Sequence, residues 1–159
     1  MARHLDYIAY FKMLADLHLA NAPGNKTFYK KGLDEFLNGL SLDESAYPAM
    51  LLDRADFTYK DNGYDNFTKI RTVAFLIFDH VSDIQDYDAI DLAFDNSEAI
   101  IDKIYNQIND DRKNPECAAF LKAVDMNSFQ ATEAQNSGDG NYGYFVTVEI
   151  QSTHNTRLI

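Results

Sequence analysis

The stretch NFTKIRTVAFLIFDHV, residues 66–81, is the most strand-like part of this sequence, because β-branched and aromatic residues dominate it. Its run FLIF, residues 75–78, is apolar at four consecutive positions. Side chains alternate between the two faces of a strand, so an unbroken apolar run needs cover on both faces. We therefore expect a central strand that helices or another subunit cover on both sides.

A second extended segment, PAMLLDRADFTYK at residues 48–60, precedes this strand and ends in alternating polar and aromatic residues. The loop DNGYDN, residues 61–66, joins the two segments and contains Asn62-Gly63, the dipeptide that type I′ hairpin turns prefer. The sequence therefore predicts that two long strands pair as an antiparallel hairpin.

A second hairpin is predicted near the end of the chain. A strand over residues 126–135 leads into the glycine-rich loop NSGDG, residues 136–140. The last strand follows, and alternate positions place four of its side chains on one face: Tyr144, Val146, Val148 and Ile150. The tail, residues 153–159, is expected to be loose.

Three helices are predicted around the hairpins. The first covers residues 3–20, with an apolar stripe at three- and four-residue steps: Tyr7, Tyr10, Phe11, Leu14 and Leu17. The second begins at Asp95, which has capping-box spacing with Glu98. Its predicted buried stripe is Ile100, Ile101, Ile104, Tyr105 and Ile108.

The third and shortest helix has Asn114 as its cap and Pro115 at its first position. Its inward residues are predicted to be Phe120, Leu121 and Val124. Between the first helix and the first hairpin, residues 21–46 form an irregular arm, with a short strand at 28–29 and a helical turn at 34–37.

The predicted fold class is α+β, within a single domain over residues 1–159 whose sheet and helices occupy residues 47–152. The sheet is antiparallel and built from two long β-hairpins. Helices are expected to pack on one face, because their apolar stripes need that cover. The chain shows no internal repeat and no linker.

Charge and composition exclude several classes of function. Against 14 Lys and Arg stand 25 Asp and Glu, which gives a net charge of −11 and disfavours binding to duplex DNA or to a membrane surface. No apolar run approaches the ~20 residues that span a bilayer, and the N-terminus does not resemble a signal peptide. The single Cys117 excludes an internal disulfide. We expect a soluble protein without a membrane partner.

The two polar loops are interpreted as turns, so neither a metal nor a cofactor is expected. No lysine follows the glycines at 138–143 as a phosphate-binding loop requires, and a strand rather than a helix comes after them. Asp139 with Asn136 and Asn141 supplies few calcium ligands. The loop at 61–66 lacks the closing glutamate of a calcium-binding loop.

No catalytic constellation is apparent, and we expect no enzyme. Of the four scattered histidines, His80 alone has nearby carboxylates, Asp79 and Asp83, but no nucleophile accompanies it. Cys117 precedes two alanines, a setting that suits a buried structural residue better than a reactive thiol. A hydrolase that uses His80 is the weakest of the hypotheses.

The order of several motifs resembles one known family. After the amphipathic N-terminal helix come TFYKKG (residues 27–32), YPAMLL (47–52), the helix NSEAIIDKIYNQI (96–108) and YFVTVEI (144–150). Together they resemble the tail-terminator, or tail-completion, proteins of long-tailed bacteriophages and of related phage-derived tails. The resemblance covers residues 3–151, but the acidic stretch 84–94 has no counterpart in the family pattern and is an added contact or a solvated loop.

The resemblance implies structural work. Members of the family form a six-membered ring at the head-proximal end of the tail tube, stop tube polymerisation and present the surface that docks to the head. The implied partners are further copies of the chain, the tail-tube protein and the head–tail connector protein. DNA only passes through the lumen, where an acidic ring would repel it. The implied location is the virion, after synthesis in the host cytoplasm.

Two loops are predicted to contact neighbouring proteins, since tyrosines on loops suit protein interfaces. The residues are Asp61, Asn62, Gly63, Tyr64 and Asp65 at the tip of the first hairpin, and Asp139, Asn141, Tyr142 and Tyr144 in and after the glycine-rich loop. The alternative for these tyrosines is that they fold back onto their own domain.

Two further functions fit the same features. The chain could be another neck or connector ring, such as a head-completion or tube-adaptor protein. It could also be a small adaptor domain whose acidic face binds a basic protein partner.

Overall fold

The computed structural model describes residues 4–19, 26–40, 47–61, 63 and 66–155. Their helices are α1 (His4–His18), α2 (Leu33–Leu37), α3 (Tyr87–Asp111) and a 3-10 helix (Ala119–Ala123). Their strands are β1 (Phe28–Tyr29), β2 (Ala49–Leu52), β3 (Asp56–Asp61), β4 (Asn66–His80), β5 (Val124–Asn136) and β6 (Asn141–Asn155). The fold class is α+β, as predicted.

The described strands form one six-stranded, mostly antiparallel sheet in the order β1-β2-β4-β6-β5, with β3 also paired to β4. β4 pairs with β6 over all 15 of its residues. On its other side β4 pairs with β2 at residues 75–78 and with β3 at residues 67–72. β4 is therefore an interior strand along most of its length.

The sheet differs from a pair of long hairpins. The segment 48–60 is not one strand, because Asp53, Arg54 and Ala55 separate β2 from β3. At this break the Asp53 carboxylate accepts hydrogen bonds from the N–H groups of Leu33 (3.4 Å) and Arg54 (2.7 Å). In addition, β1 pairs in parallel with β2, a contact that the prediction of a purely antiparallel sheet missed.

Both faces of the sheet are covered by elements of this chain. Phe75 and Ile77 of β4 pack in the main core with residues of α1 and α3. Leu76 and Phe78 face the other way and pack against Phe36 of α2. The four residues 75–78 are fully buried, so the prediction of a doubly covered central strand is confirmed. The prediction that helices pack on one face only was wrong, since α2 lies on the opposite face.

α3 starts eight residues before the predicted helix. Asp86 is its cap, and the Asp86 side chain accepts a hydrogen bond from the Ala89 N–H at 3.0 Å. The predicted start at Asp95 was therefore wrong. Asp95 and Glu98 lie inside α3, so they do not cap the start of a helix. Most of the acidic stretch 84–94, which has no counterpart in the family pattern, is the beginning of α3. The positive end of the helix dipole stabilises aspartates at this position.

The predicted apolar stripes are largely confirmed. In α1 and α3 the buried members are Tyr7, Tyr10, Phe11, Leu14, Ile100, Ile101, Ile104 and Ile108, whereas Leu17 and Tyr105 are exposed. The predicted helix after Pro115 is a turn followed by the 3-10 helix, although Phe120, Leu121 and Val124 are buried as expected. Asn114 stabilises that turn, because its side chain accepts from the Glu116 N–H at 3.0 Å.

The last two strands are longer than predicted. β5 has an irregular register between Asp125 and Gln130. β6 continues to Asn155, so the predicted loose tail was wrong for residues 153–155, which pair with the first residues of β4. Residues 156–159 lie outside the described part of the chain. No helix in that part combines the length and the apolar character needed to cross a membrane.

A phenol–carboxylate hydrogen bond joins α1 to the end of α3. The Tyr10 hydroxyl donates to Asp111 Oδ2 at 2.7 Å, and Gln107 donates to the other oxygen of Asp111 at 2.8 Å. The Tyr10 ring also makes an edge contact with Phe120 at 5.8 Å between centroids. Burial, helped by the Asp111 carboxylate, raises the pKa of Tyr10 far above its ordinary value of 10.0.

The substitution Tyr10→Phe tests this link. It removes a hydrogen bond to a charged group, so we expect the free energy of unfolding at neutral pH to fall by about 1–2 kcal/mol. In the wild type, the unfolded phenol ionises near pH 10 while the folded one does not, so its contribution to stability is lost as the pH rises above about 10. Urea unfolding near pH 7 and near pH 10.5 measures both effects.

The exposed Tyr59 supplies the control, as Tyr59→Phe should follow the wild type at both pH values. The variant Tyr10→Phe should lose less stability between the two pH values than the wild type does. Equal alkaline losses in Tyr10→Phe and the wild type would contradict the protonated, buried phenol.

Candidate contact surfaces

The tip of the first hairpin is only partly described. Asp61 is exposed at the end of β3, and its carboxylate accepts a hydrogen bond from the Gly63 N–H at 2.8 Å. Gly63 is exposed and has a φ of 77°. Asn62, Tyr64 and Asp65 lie outside the described residues. A role of this tip in protein contact stays a prediction.

The glycine-rich loop is a turn that ties the β5–β6 pair to the end of α2. Asp139 Oδ2 accepts hydrogen bonds from the Leu40 N–H at 3.0 Å and from the Asn136 side-chain amide at 2.9 Å. The same Asn136 amide donates to the Phe36 carbonyl oxygen at 2.8 Å. The last carbonyls of a helix lack partners within it, and Asn136 supplies one here. The Asp139 side chain therefore has a structural role inside the fold.

The residues after this loop fold back onto α3. Asn141 is fully buried and Tyr142 is 3% exposed. The Tyr142 and Tyr144 rings both make edge contacts with Phe94, at 5.9 Å and 5.7 Å between centroids. Burial, with the Glu98 carboxylate nearby, raises the pKa of Tyr144. Asn141 and Tyr142 thus offer no exposed surface to a partner. For Tyr142 the structure shows the alternative in which the tyrosine folds back onto its own domain.

Gly140 permits the close approach of this turn to the end of β4. Its φ is 69°, and its carbonyl oxygen accepts a hydrogen bond from the Val81 N–H at 2.7 Å. A Cβ at this position would collide with the Val81 carbonyl oxygen and lie 3.2 Å from the His80 ring. Gly63 has a similar φ of 77°, but a Cβ there would meet no atom within 4 Å.

The pair Gly140→Ala and Gly63→Ala separates backbone strain from packing. The left-handed conformation alone should cost about 1 kcal/mol in Gly63→Ala. The added collision should raise the loss in Gly140→Ala to about 3 kcal/mol or more. Chemical denaturation of both variants measures the difference, and equal losses would show that the turn does not pack against Val81 as described.

His80 lies beside this turn. Its ring stacks on Tyr47 at 5.0 Å between centroids, and its Nδ1 is 3.4 Å from Asn141 Oδ1. The Asp79 carboxylate accepts the backbone N–H of His80 at 2.8 Å. Burial raises the pKa of Tyr47. Within the described ranges, no three His, Cys, Asp or Glu side chains are arranged to hold a metal ion.

A cleft of about 640 Å³ lies between α1 and the start of α2. Its charged lining is mixed in sign: Lys30, Lys31, Arg54, Asp34, Glu35 and Asp53. Because its lining contains both carboxylates and cations, the cleft does not present one sign of charge to a ligand.

An exposed surface that the sequence did not predict lies at the β3 end of the sheet. We call it the aromatic patch: the exposed Phe57 and Tyr59, the half-buried Phe67 and Lys69, and the buried Arg71. The cross-strand pairs Phe57–Arg71 and Tyr59–Lys69 place these residues on one face of the sheet. Phe57 and Tyr59 are 48% and 57% exposed.

Cations hold the rings of the aromatic patch in place. Lys69 Nζ lies 4.1 Å from the Phe57 ring centroid and 5.6 Å from that of Tyr59. The Arg71 guanidinium lies between the rings of Phe57 and Tyr7, at 5.4 Å and 5.5 Å. Such contacts are worth about 0.5–1 kcal/mol each at exposed sites. The patch is therefore an ordered cluster in which the exposed rings of Phe57 and Tyr59 are supported by the half-buried Lys69 and the buried Arg71.

The lengths of the elements explain why this surface is uncovered. A strand of 15 residues spans about 50 Å, whereas the 25 residues of α3 span about 37 Å. α3 starts near the far end of β4, where Ala93 packs with Val81. α3 therefore ends before the sheet does, and all six residues of β3 are exposed.

A second exposed surface lies on the outer side of α3. We call it the acidic ridge: Asp88, Asp91, Leu92 and Asp95. These residues have the spacing i, i+3, i+4 and i+7, which brings them together on one side of a helix, and all four are exposed. Tyr87, also exposed, precedes them, and no Lys or Arg occurs between residues 72 and 102.

No protein-family model matches this chain, and no curated protein gives a significant match. The aromatic patch, the acidic ridge and the order of the sequence motifs are therefore the observations on which a function can be based.

Proposed function

We propose that this chain is a structural protein of a phage tail or a phage-derived tail. It forms a ring at the head-proximal end of the tail tube, ends tube polymerisation and docks the tail to the head. The single observation that carries this proposal is the position of two different exposed surfaces at opposite ends of one long sheet. The proposal assigns no reaction, metal or cofactor to the chain.

The separation of the two surfaces supports a role in assembly. The aromatic patch includes Arg71, and β4 runs from there to His80, close to the start of α3. At about 3.3 Å per residue, these nine positions span about 30 Å. A protein whose two ends carry different surfaces can join a neighbour at each end and still present its remaining surface to another component. Closed rings and open filaments both arise from such contacts.

Under this proposal the partners are other copies of the chain, the tail-tube protein and the head–tail connector protein.

 The net charge of −11 would repel DNA passing through the lumen of a ring, so that DNA is not held there. The proposed location is the virion, after synthesis in the host cytoplasm. The hairpin tip with Asp61 and Gly63 is the proposed contact to a neighbouring protein.

Two other functions remain as alternatives, each with its own support. Another neck or connector ring would use the same two surfaces without ending a tube. A small adaptor domain that binds a basic protein is favoured by one observation, the acidic ridge on α3. The two alternatives differ from the proposal in what the chain does at the end of a tail tube.

The test begins with the reading frames that flank this gene. A neighbouring tube-like protein is purified and polymerised with and without this chain, and electron microscopy records tube length and tube ends. We expect shorter tubes with added density at one end, at far fewer copies of this chain than of the tube protein. Heat-unfolded chain is the control.

Tubes of unchanged length with bare ends would contradict the proposal, as would neighbours that encode no tail component. Binding along the sides of the tubes, or binding to a basic protein in place of tubes, would favour the adaptor. Density at the ends of tubes that keep growing would favour another neck ring.

A further inference from the structure

We propose that copies of this chain join head to tail, with the aromatic patch of one copy packed against the acidic ridge of the next. This inference rests on the proposed function, because it names the contact that would build the ring. The partner is a second copy of this chain, which contributes the acidic ridge where the first copy contributes the aromatic patch.

The uncovered face of the sheet is the first reason. Phe57, Lys69 and Arg71 lie on the same face as Phe75 and Ile77, which the helices of this chain cover. A sheet face with apolar side chains is stabilised by a layer of helices. Tyr7 of α1 covers Arg71, but Phe57 and Tyr59 are exposed, and the outer side of a helix from another copy would cover them.

Charge is the second reason. The aromatic patch offers the half-buried Lys69 as its cation, because Arg71 is buried between the Tyr7 and Phe57 rings. Lys69 stands out in a chain whose net charge is −11. The acidic ridge carries three aspartates within eight residues and no cation. Opposite potentials of this kind favour association and fix orientation. Asp61 lies at the edge of the patch, where its carboxylate accepts the Gly63 N–H.

Apolar groups match as well. Phe57 and Tyr59 on the patch, and Leu92 with Tyr87 on or beside the ridge, are all large exposed side chains. Aromatic residues with neighbouring cations are the groups that protein interfaces favour. Contact between the two surfaces would remove these side chains from water and place Lys69 close to the aspartates.

The geometry excludes the simpler arrangements. Within one copy about 30 Å of β4 separates Arg71 from His80, which lies close to the start of α3, so the patch and the beginning of the ridge do not meet. A symmetric pair through the aromatic patch would bring the Lys69 side chains of two copies together, and one through the acidic ridge would place carboxylates against carboxylates. The remaining contact joins two different surfaces. Such a contact repeats from copy to copy, and it closes into a ring when the rotation between neighbouring copies allows.

Charge exchange tests the contact. The variants Lys69→Glu and Asp91→Lys each place like charges together, and we expect each to weaken self-association at least tenfold. The double variant restores opposite charges and should regain assembly. Native mass spectrometry and sedimentation at matched concentration and ionic strength measure the oligomers, and capping of tubes is scored for the same proteins.

A mixture of the two single variants gives a sharper result. Each single variant keeps one intact surface, so the intact patch of Asp91→Lys can bind the intact ridge of Lys69→Glu. The reversed patch of Lys69→Glu and the reversed ridge of Asp91→Lys then carry opposite charges, as they do in the double variant. We therefore expect the mixture to assemble from alternating copies although neither variant assembles alone, and a mixture that stays unassembled would contradict the contact.

Matched controls separate charge from folding. Lys122→Glu and Glu116→Lys make the same charge changes at exposed positions outside both surfaces and should assemble like the wild type. Thermal unfolding followed by circular dichroism shows whether each variant is folded. Tyr59→Ser removes an exposed ring without changing charge and should also weaken assembly.

The outcomes distinguish this inference from the proposed function. Single variants that assemble and cap tubes like the wild type would overturn the contact while the function stands. A wild type that forms no oligomer in solution or at tube ends would also overturn the contact. Oligomers that are lost in both single variants and regained in the double variant, with no capping of tubes, would support the contact and overturn the function.

Discussion

The antiparallel ladder between β4 and β6 is the constraint on which the rest of the structure depends. It pairs 15 residues of each strand, and every other described strand extends the sheet from one of its two sides. Residues 75–78 of β4 bury side chains on both faces, so α1 and α3 must cover one face and α2 the other. Because a strand rises more than twice as far per residue as a helix, the ladder extends beyond α3. The aromatic patch is the part of the sheet that this difference leaves open.

The glycine-rich loop, which looks functional in the sequence, is not part of the exposed surfaces that the structure shows. The glycine-rich loop has the composition of a binding loop, yet Asp139 and Asn136 use their side chains to hold the end of α2. Tyr142 is buried against α3. The exposed groups lie instead on regular elements, Tyr59 on β3 and Asp91 on α3. Sites on strands and helices are held more rigidly than sites on loops, which suits repeated contacts in an assembly.

The sequence predicted what depends on local pattern. The run FLIF fixed the burial of β4, and the spacing of Ile100, Ile104 and Ile108 fixed the inner side of α3. The start of α3 was missed because Asp86 and Asp95 both fit a cap, and local pattern does not decide between them. The parallel pair β1–β2 was missed because it joins residues about 20 positions apart. The aromatic patch was missed because it depends on the register of β3 against β4, which alternation alone does not specify.

Photo-crosslinking from position 59 tests the central claim most directly. A photoreactive phenylalanine replaces the exposed Tyr59, and isotope-labelled and unlabelled copies are mixed before assembly, so that links between copies can be told from links within one copy. The account predicts links from position 59 of one copy to residues 87–95 of another. Links confined to a single copy, or links between copies that reach other elements and never α3, would contradict it.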